Sequence, residues 1–271
     1  MISQGEATMN YQTIETQLQQ GIAVIWLNRP DVRNAMNDAM LAELNDAVDA
    51  ATDDDAVRVI VLAGRGTAFC AGGDLNWMKK ARDMTPDEAI ADSAPLANLL
   101  RKLYAGPKPT VARVQGPAYA GGMGLVAACD IAVASTEAKF CLSEVKLGLI
   151  PSMISPYVIK AIGEAPSRRY FLTGEVFDSA EAYRIGFVHD IAPPEELDAT
   201  VNALLGHLVQ GGPNALGECK RLVRDMVGRP VDDALVADTA RRIARTRATD
   251  EAQEGIAAFF AKRKPSWVPA G

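Results

Sequence analysis

Apolar residues along this chain follow two alternating patterns. Short, mostly apolar segments are typical of buried strands, and they occur at residues 22–27, 58–64, 110–114, 131–134 and 139–142. After the first of them, apolar residues spaced as on one face of a helix predict a helix from Asp38 to Ala51. The alternation of strand and helix indicates an α/β fold with parallel strands joined by right-handed crossovers.

Capping patterns mark two further helix starts. Thr85, Pro86 and Glu88 fit the N-cap, first and third positions of a helix that should run to about Tyr104. Asp178 and Glu181 repeat the capping pattern. After Pro151 strands become scarce, and helices are predicted at 152–162, 166–172, 179–185, 195–210, 213–228, 231–247 and 249–261. We therefore expect a loose tail (1–10), a core (11–195) and a C-terminal helical region (196–271).

The composition narrows the class of protein. The 271 residues, 48% of them hydrophobic, suit one large domain or one domain with a helical appendage. A net charge of −6 and a pI of about 5.1 argue against a broad nucleic-acid surface, which needs clustered Lys and Arg. No apolar segment approaches the roughly 18 residues of a membrane span, and residues 1–10 lack the features of a signal peptide. We expect a cytoplasmic protein that binds neither nucleic acid nor membrane.

The cysteines and histidines exclude several kinds of site. Cysteines stand at 70, 129, 141 and 219, without metal-ligand spacing, and are expected to be reduced thiols. The only histidines are His189 and His207, and no G-x-S-x-G motif occurs. Zinc chemistry and a serine triad are therefore set aside, and no metal or other cofactor is expected.

Two glycine-rich segments each join a predicted strand to a predicted helix: VLAGRGTAFCAGGDL (61–75) and GPAYAGGMGLVAACD (116–130). The first lacks the third glycine of a dinucleotide fingerprint, since residue 69 is Phe, and neither has the P-loop pattern. Taken alone, each loop is explained equally well as a turn without a ligand or as a binding loop. Together, two helix starts with unpaired N–H groups would fit one oxygen atom, as in an oxyanion hole. Such a site suits a thioester carbonyl that becomes an enolate.

Five motifs, in order, resemble the crotonase (enoyl-CoA hydratase/isomerase) superfamily from about residue 11 to Trp267. They are LNRPDVRNAM (27–36), FCAGGDL (69–75), GPAYAGGMGLVAACDIAVA (116–134), FCLSEVKLGLIP (140–151) and FFAKRKPSW (259–267). The resemblance implies a crotonase-like spiral of β-β-α turns with a C-terminal α-helical trimerisation region. It also implies an acyl-CoA thioester substrate, with coenzyme A as part of the substrate, and a homotrimer or a hexamer made of two trimers.

The resemblance assigns site residues motif by motif. The N–H groups of Gly73 and Gly121 would bind the thioester oxygen, and Glu144 would act as the acid/base. Phe259 and Lys262 correspond to positions that reach the adenine and the 3′-phosphate, often from a neighbouring subunit. The remaining residues that the resemblance places at the substrate or coenzyme A are Val32, Arg33, Ala68, Cys70, Ala71, Gly72, Asp74 (through its backbone), Leu75 and Gly124.

Position 124 departs from the two-base hydratases of this family, which carry one Glu in each of two motifs twenty residues apart. Here Glu144 fills one position and Gly124 the other, while Asp130 and Glu137 do not substitute by spacing. Three reactions remain open with one carboxylate: hydration of a 2-enoyl-CoA, one-base Δ3,Δ2-isomerisation, and decarboxylation that depends on the oxyanion hole. A carboxyl in an apolar pocket is expected to have a raised pKa, which helps it to deliver a proton.

The wider pattern around these motifs resembles bacterial methylglutaconyl-CoA hydratases of leucine degradation. Their substrate has a distal carboxylate, for which Lys79, Lys80 and Arg82 are candidates, although a solvated helix face explains them equally well. Candidates to hold water or that carboxylate are Ser143, Ser152, Ser155, Tyr119 and Tyr157, whereas His189 is expected to be structural. We predict hydration of a branched glutaconyl-CoA. The alternatives are a one-base isomerase and a non-catalytic protein that binds acyl-CoA or RNA.

Overall fold

A six-stranded sheet forms the centre of the molecule. The computed structural model describes residues 11–80 and 83–268, and the sheet has the order β1-β2-β3-β4-β6-β9. Its strands are β1 (Ile14–Gln19), β2 (Ile22–Leu27), β3 (Val59–Gly64), β4 (Thr110–Val114), β6 (Ile131–Ser135) and β9 (Asp190–Ala192). β1 pairs with β2 in antiparallel fashion, and every other neighbouring pair is parallel. The predicted α/β class and parallel core are confirmed.

Two strands of this sheet are not predicted from the sequence. β1 reads IETQLQ and lies at the sheet edge, so much of it stays polar. The side chain of its buried residue Gln17 is hydrogen-bonded, since the Trp26 indole N–H donates to Gln17 Oε1 at 3.3 Å. β9 has only three residues, which is too short for periodicity to reveal a strand.

Three short strands form a second sheet beside the predicted site. They are β5 (Ala118–Tyr119), β7 (Lys139–Cys141) and β8 (Phe177–Asp178), with β7 in the middle. Tyr119 is paired with Cys141, and the Ala120 N–H donates to the Cys141 carbonyl at 2.8 Å. The segment that leads to Gly121 is thereby tied to the segment that leads to Glu144.

Helices cover both faces of the main sheet. The helices up to the last strand are α1 (Asp38–Asp53), α2 (Leu75–Lys80), α3 (Pro86–Ala105), α4 (Gly121–Ala128), α5 (Ser155–Ile162), α6 (Glu164–Thr173) and α7 (Ser179–Arg184). The apolar faces of α1, α3, α4 and α5 build the larger core. The capping box at Thr85 and Glu88 is confirmed, as is the Asp178 cap, whose side chain accepts from the Glu181 N–H.

Four more helices follow the last strand: α8 (Leu197–Leu208), α9 (Pro213–Met226), α10 (Asp233–Arg247) and α11 (Asp250–Phe260). Leu197, Val201 and Leu205 of α8 pack on the sheet face opposite the larger core. Lys220 anchors α9, since its Nζ lies 2.8 Å from Asp130 Oδ2 and donates to the Leu103 carbonyl at 2.7 Å. Exposed apolar residues in this helical region are Leu222, Val223, Val227, Val231, Val236, Ile243, Ile256, Phe259 and Phe260.

Several composition-based expectations can be compared with the structure. All four cysteines are free thiols, and burial raises the pKa of Cys70 and Cys129 to about 12. Within residues 11–80 and 83–268, no helix is long and apolar enough to cross a membrane. The expected N-terminal tail, residues 1–10, lies outside the described residues.

Candidate active site

The two glycine-rich loops lie against each other and are joined by backbone hydrogen bonds. The N–H groups of Phe69 and Cys70 donate to the Pro117 carbonyl at 3.0 and 3.1 Å, and Tyr119 N–H donates to the Cys70 carbonyl at 2.9 Å. A Cβ placed on Gly72 would lie 3.8 Å from the Gly121 nitrogen. The predicted convergence of the two loops is therefore present in the fold.

Close approach of the loops requires glycine at position 122. A Cβ there would lie 2.4 Å from the Cys70 carbonyl oxygen and 2.9 Å from Cys70 Cβ. Cys70 itself is completely buried, so close packing prevents its backbone from moving away from residue 122. The absence of a side chain at Gly122 thus sets the distance between the first turn of α4 and the first loop.

Two amide groups at this junction have no partner. Met36 N–H donates to the Gly72 carbonyl and Asp74 N–H to the Met36 carbonyl, a parallel bridge that leaves the N–H of Gly73 facing the other way. Gly121 is the first residue of α4, whose opening N–H groups lack helical acceptors. Within the described residues, neither the Gly73 nor the Gly121 N–H donates to a carbonyl. Two donors without a carbonyl acceptor on adjoining loops are compatible with the predicted oxyanion hole, and the assignment of Gly73 and Gly121 to it remains a prediction.

The residue before Gly121 has an unusual backbone conformation. Ala120 has φ 47° and ψ −120°, a region that residues with a side chain rarely adopt. Such strain costs of order 1–3 kcal/mol and persists only where the surroundings enforce it. Here the Ala120 N–H is held by Cys141 and the preceding Tyr119 by Cys70. The strained turn reverses the chain so that α4 begins directly at the junction of the loops.

A buried asparagine, not identified by the sequence analysis, fixes the first loop. Asn34 is fully buried and has a left-handed φ of 56°. Its Nδ2 donates to the carbonyls of Arg65 and Ala68, both at 2.9 Å, and its Oδ1 accepts from the Arg29 N–H at 2.8 Å. Asn34 lies inside the LNRPDVRNAM motif, but its function as a clamp depends on contacts with residues some thirty positions away.

Replacing Asn34 with Ala leaves all three of these backbone groups without this partner. We expect the free energy of unfolding to fall by roughly 2–4 kcal/mol, since each hydrogen bond contributes about 1 kcal/mol and unpaired buried groups cost more. Chemical denaturation measures the change. Asn37→Ala is the control, because it removes only the N-cap of α1, worth about 1 kcal/mol. Equal losses in the two variants would contradict the clamp.

Asp74, between the first loop and α2, has a structural side chain. Its carboxylate lies 3.0 Å from Arg29 Nη2 and accepts from the Asn76 N–H at 2.9 Å. The Asn76 hydrogen bond is the main cause of a lowered Asp74 pKa, and Arg29 adds to it. The carboxylate is therefore engaged in capping α2 and pairing with Arg29, and only the backbone of Asp74 remains for the predicted contact with coenzyme A.

Glu144 lies on a short 3-10 helix (Ser143–Leu147) that follows β7. Its Oε2 atom is buried and has no hydrogen-bond partner among the described residues. Burial raises the pKa of Glu144 above its ordinary value, and a hydrogen bond from its own backbone N–H opposes this in part. A half-buried carboxyl with a free oxygen and a raised pKa is suited to exchange a proton with a bound ligand.

The structure also explains the missing second carboxylate. A Cβ on Gly124 would lie 2.1 Å from Ile154 Cγ2, 2.8 Å from Ile154 Cβ and 3.6 Å from Leu100 Cδ2. Ile154 is 2% exposed and belongs to the larger core. The space that a side chain at 124 would need is therefore filled by an apolar residue from a distant part of the chain, and Glu144 has no acidic partner on α4.

The other predicted contact residues differ in what they offer a ligand. Val32 and Arg33 are exposed, and Arg33 has a left-handed φ of 54°. Ala68 and Cys70 are buried and expose almost none of their atoms. Phe259 is 79% exposed on α11, and Lys262 follows it with φ 52°. Arg82 and the side chains of Leu75 and Lys80 lie outside the described residues. The coenzyme A contacts remain predictions.

The polar candidates separate into two groups. Burial raises the pKa of Tyr119, Cys141 of β7, its partner in the small sheet, adds to the rise, and the charge of Arg33 opposes it. Tyr157, in the first turn of α5, instead contacts Tyr104, with ring centroids 5.4 Å apart. His189 Nδ1 accepts from the Ala132 N–H at 3.1 Å, as expected of a structural histidine.

Comparison with known proteins agrees with this geometry. The family described as enoyl-CoA hydratase/isomerase matches residues 17–269. A crotonyl-CoA hydratase of Syntrophomonas wolfei is 32% identical, covering 96% of this chain and 99% of the relative. The 2,3-dehydroadipyl-CoA hydratase of Escherichia coli is also 32% identical, covering 92% and 96%. The crystal structure of an enoyl-CoA hydratase from Shewanella pealeana superposes with a TM-score of 0.91 at 39% identity, covering 94% and 96%.

These matches extend over nearly the full length of the chain, and the superposition confirms the crotonase-like architecture that the five motifs predict. The N–H groups of Gly73 and Gly121 and the buried Glu144 Oε2, which has no partner among the described residues, lie within the matched residues. On this evidence the chain belongs to the enoyl-CoA hydratase/isomerase family.

Proposed function

We propose that this protein adds water across the double bond of a 2-enoyl-CoA thioester. The observation that carries the proposal is the buried Oε2 of Glu144, which has no partner among the described residues, on a segment tied to the two free amides. Gly73 and Gly121 would donate to the thioester oxygen, and Glu144 would transfer the proton. Relatives that are named as hydratases support the same reaction.

The proposed step balances with one carboxylate. The oxygen of water forms a bond to the β-carbon, and the electron pair of the double bond moves to the α-carbon and the thioester oxygen. The amides stabilise the resulting enolate, and each such donor is worth about 3–4 kcal/mol in a transition state. Protonated Glu144 delivers its proton to the α-carbon and takes one from the attacking water, so the carboxyl is restored.

Isomerisation is the second candidate reaction. Ile154 fills the space beside Gly124, so one carboxylate serves the site. A single base that removes a proton from one carbon and returns it to another is sufficient for a Δ3,Δ2 shift. The same oxyanion hole would stabilise the dienolate.

A branched glutaconyl-CoA is the proposed substrate. The resemblance around residues 72–81 and 141–163 supports it, as does the Escherichia coli relative, whose named substrate is an acyl group with a second carboxylate. On the first loop's helix, Lys79 is exposed and would be a candidate partner for that carboxylate. Arg33, Phe259 and Lys262 are proposed to contact coenzyme A.

A trimeric or hexameric assembly is proposed as well. The exposed apolar residues of α9 to α11 are supporting evidence, since monomers seldom leave such residues uncovered over several adjoining helices. Sedimentation of the purified protein distinguishes a trimer from a hexamer, and a monomer at all concentrations would refute the proposal.

One substrate panel tests the catalytic proposal. The purified protein is incubated with crotonyl-CoA, with 3-methylglutaconyl-CoA and with a 3-enoyl-CoA. We expect loss of the conjugated-enoyl absorbance with the first two, and faster loss with the branched acid. Gain of that absorbance from the 3-enoyl-CoA would establish isomerisation instead. Salt-sensitive binding of RNA without turnover of any thioester would favour the non-catalytic alternative.

A further inference from the structure

Three helices form successive layers that lead away from the oxyanion hole. In the first layer, a Cβ on Gly121 of α4 would lie 3.7 Å from Leu96 Cδ2 of α3. In the second, Gly124 is flanked by Leu100 and Ile154. Leu100 follows Leu96 by four residues and Gly124 follows Gly121 by three, so both helices advance by about one turn between layers.

The third layer lies one turn further on. Tyr104 follows Leu100 by four residues, Ala127 follows Gly124 by three, and Tyr157 follows Ile154 by three. Tyr104 and Tyr157 meet edge to face, with centroids 5.4 Å apart. At a rise of 1.5 Å per residue, Ala127 lies about 9 Å along α4 from Gly121. An acyl chain that starts at the oxyanion hole and follows these helices would reach the second layer first.

The third layer forms part of the wall of a cavity of about 630 Å³. Tyr104, Ala127 and Tyr157 line it, together with apolar residues such as Val126, Ala161 and Phe187. Its wall also includes ionisable residues (Asp130, Lys160, His189, Lys220 and Arg224), but most of the lining surface is apolar, as in sites for small apolar groups. The cavity and the oxyanion hole are therefore at opposite ends of α4, with Ile154 between them.

We propose that Ile154 sets the upper limit of acyl-chain length by closing the passage from the catalytic pocket to this cavity. The inference rests on the proposed function. Ile154 is almost fully buried and presses its branched side chain on Gly124, where no competing side chain is present. With Ile154 in place the pocket takes short or branched acyl groups, and without it a straight chain passes alongside the Tyr104–Tyr157 ring pair into the cavity.

A smaller residue at position 154 would open space beside Gly124 for a longer acyl chain. Ile154→Ala removes three carbons at the second layer while leaving the amides of Gly73 and Gly121 and the Glu144 carboxyl unchanged. Each methylene that enters an apolar cavity gains about 0.8 kcal/mol, a factor of roughly four in affinity. A chain four methylenes longer should therefore be favoured by roughly two orders of magnitude in the variant relative to the native protein.

The test compares kcat/KM for crotonyl-, hexenoyl-, octenoyl- and decenoyl-CoA in the native protein and in Ile154→Ala. We expect kcat/KM of the native protein to fall with chain length and that of the variant to rise at least tenfold from crotonyl- to decenoyl-CoA. Ile162→Ala is the matched control, since Ile162 is the same residue type, buried on the same helix two turns away. It should keep the native length profile.

A double variant, Ile154→Ala with Tyr157→Trp, fills the entrance to the cavity and should abolish the gain for decenoyl-CoA. A native length profile in folded Ile154→Ala that still hydrates crotonyl-CoA would overturn the inference. If the native protein turns over none of these thioesters, the proposed function fails instead. Calorimetric affinities for butyryl- and decanoyl-CoA then test the length limit on their own, and equal preferences in native protein and variant would overturn it.

Discussion

Replacement of Glu144 by Gln is expected to lower kcat by about 100- to 10,000-fold, the usual contribution of general acid–base catalysis. The amide keeps the shape of the side chain but neither delivers nor accepts the proton. KM should change little, because the amides of Gly73 and Gly121 still hold the thioester. Steady-state kinetics with crotonyl-CoA measures both constants. Glu137→Gln, which removes an exposed carboxylate from the turn before β7, is the control.

The same substitution should stabilise the fold. Burial raises the pKa of Glu144, so the folded state favours the protonated form. Its contribution to stability is fully present below the pKa of the unfolded chain and is lost as pH rises through the folded-state pKa. Glu144→Gln carries no charge at any pH. The melting temperature of the variant should exceed that of the native protein at pH 8, and the difference should shrink toward pH 4.

Both the expected loss of activity and the expected gain in stability of Glu144→Gln can be contradicted by experiment. Full activity of Glu144→Gln would remove Glu144 from the mechanism and leave the oxyanion hole as the main catalytic element. A variant that melts at a lower temperature than the native protein at pH 8 would show that the carboxylate has a stabilising partner. The combination of lost activity and gained stability is typical of a group retained for function at a cost to the fold.

Gly122→Ala should damage both the fold and the site. The added methyl group meets the Cys70 carbonyl oxygen at 2.4 Å, and a backbone oxygen in a packed core does not move away. Overpacking of this kind costs typically 1–3 kcal/mol. Because α4 must shift away from the first loop, the Gly121 N–H is displaced as well, and loss of one oxyanion donor lowers kcat by about 100- to 1,000-fold.

The neighbouring glycine provides a matched control. A Cβ on Gly121 would meet the terminal methyl of Met36 at 2.6 Å, which is the far end of a flexible side chain. Gly121→Ala keeps the N–H group and should retain stability within about 1 kcal/mol. Thermal denaturation compares the stability of Gly122→Ala and Gly121→Ala, and crotonyl-CoA turnover compares their activity. If both lose stability equally, contact with Cys70 is not what sets the spacing of the loops.

The role of one carboxylate connects these predictions. Position 124, which carries the second Glu in the two-base hydratases, is Gly here, and Ile154 fills the space beside it. Burial raises the pKa of Glu144, so a larger fraction of the carboxyl is protonated at a given pH than in an exposed Glu and can donate a proton. The proposed mechanism uses that proton first and then takes one from water, so a single group completes the cycle.

Much of the main fold follows from local sequence. Unbroken apolar segments predict β2 and β3 because parallel strands covered on both faces have no polar side. The α3 capping box and the Asp178 cap are local hydrogen bonds, which sequence spacing alone specifies. The edge strand β1 and the short strands β5, β8 and β9 escape prediction because distant pairing, rather than their own pattern, makes them strands.

The candidate site divides in the same way. The sequence by itself determined that two glycine loops precede helices and that Glu144 stands without an acid at position 124, since these are facts of residue type and spacing. Only the tertiary structure decided that the loops share hydrogen bonds, that Asn34 clamps the first of them and that Ile154 fills the space beside Gly124. Contacts between residues 30 or more positions apart depend on how the elements pack, and no local pattern encodes them.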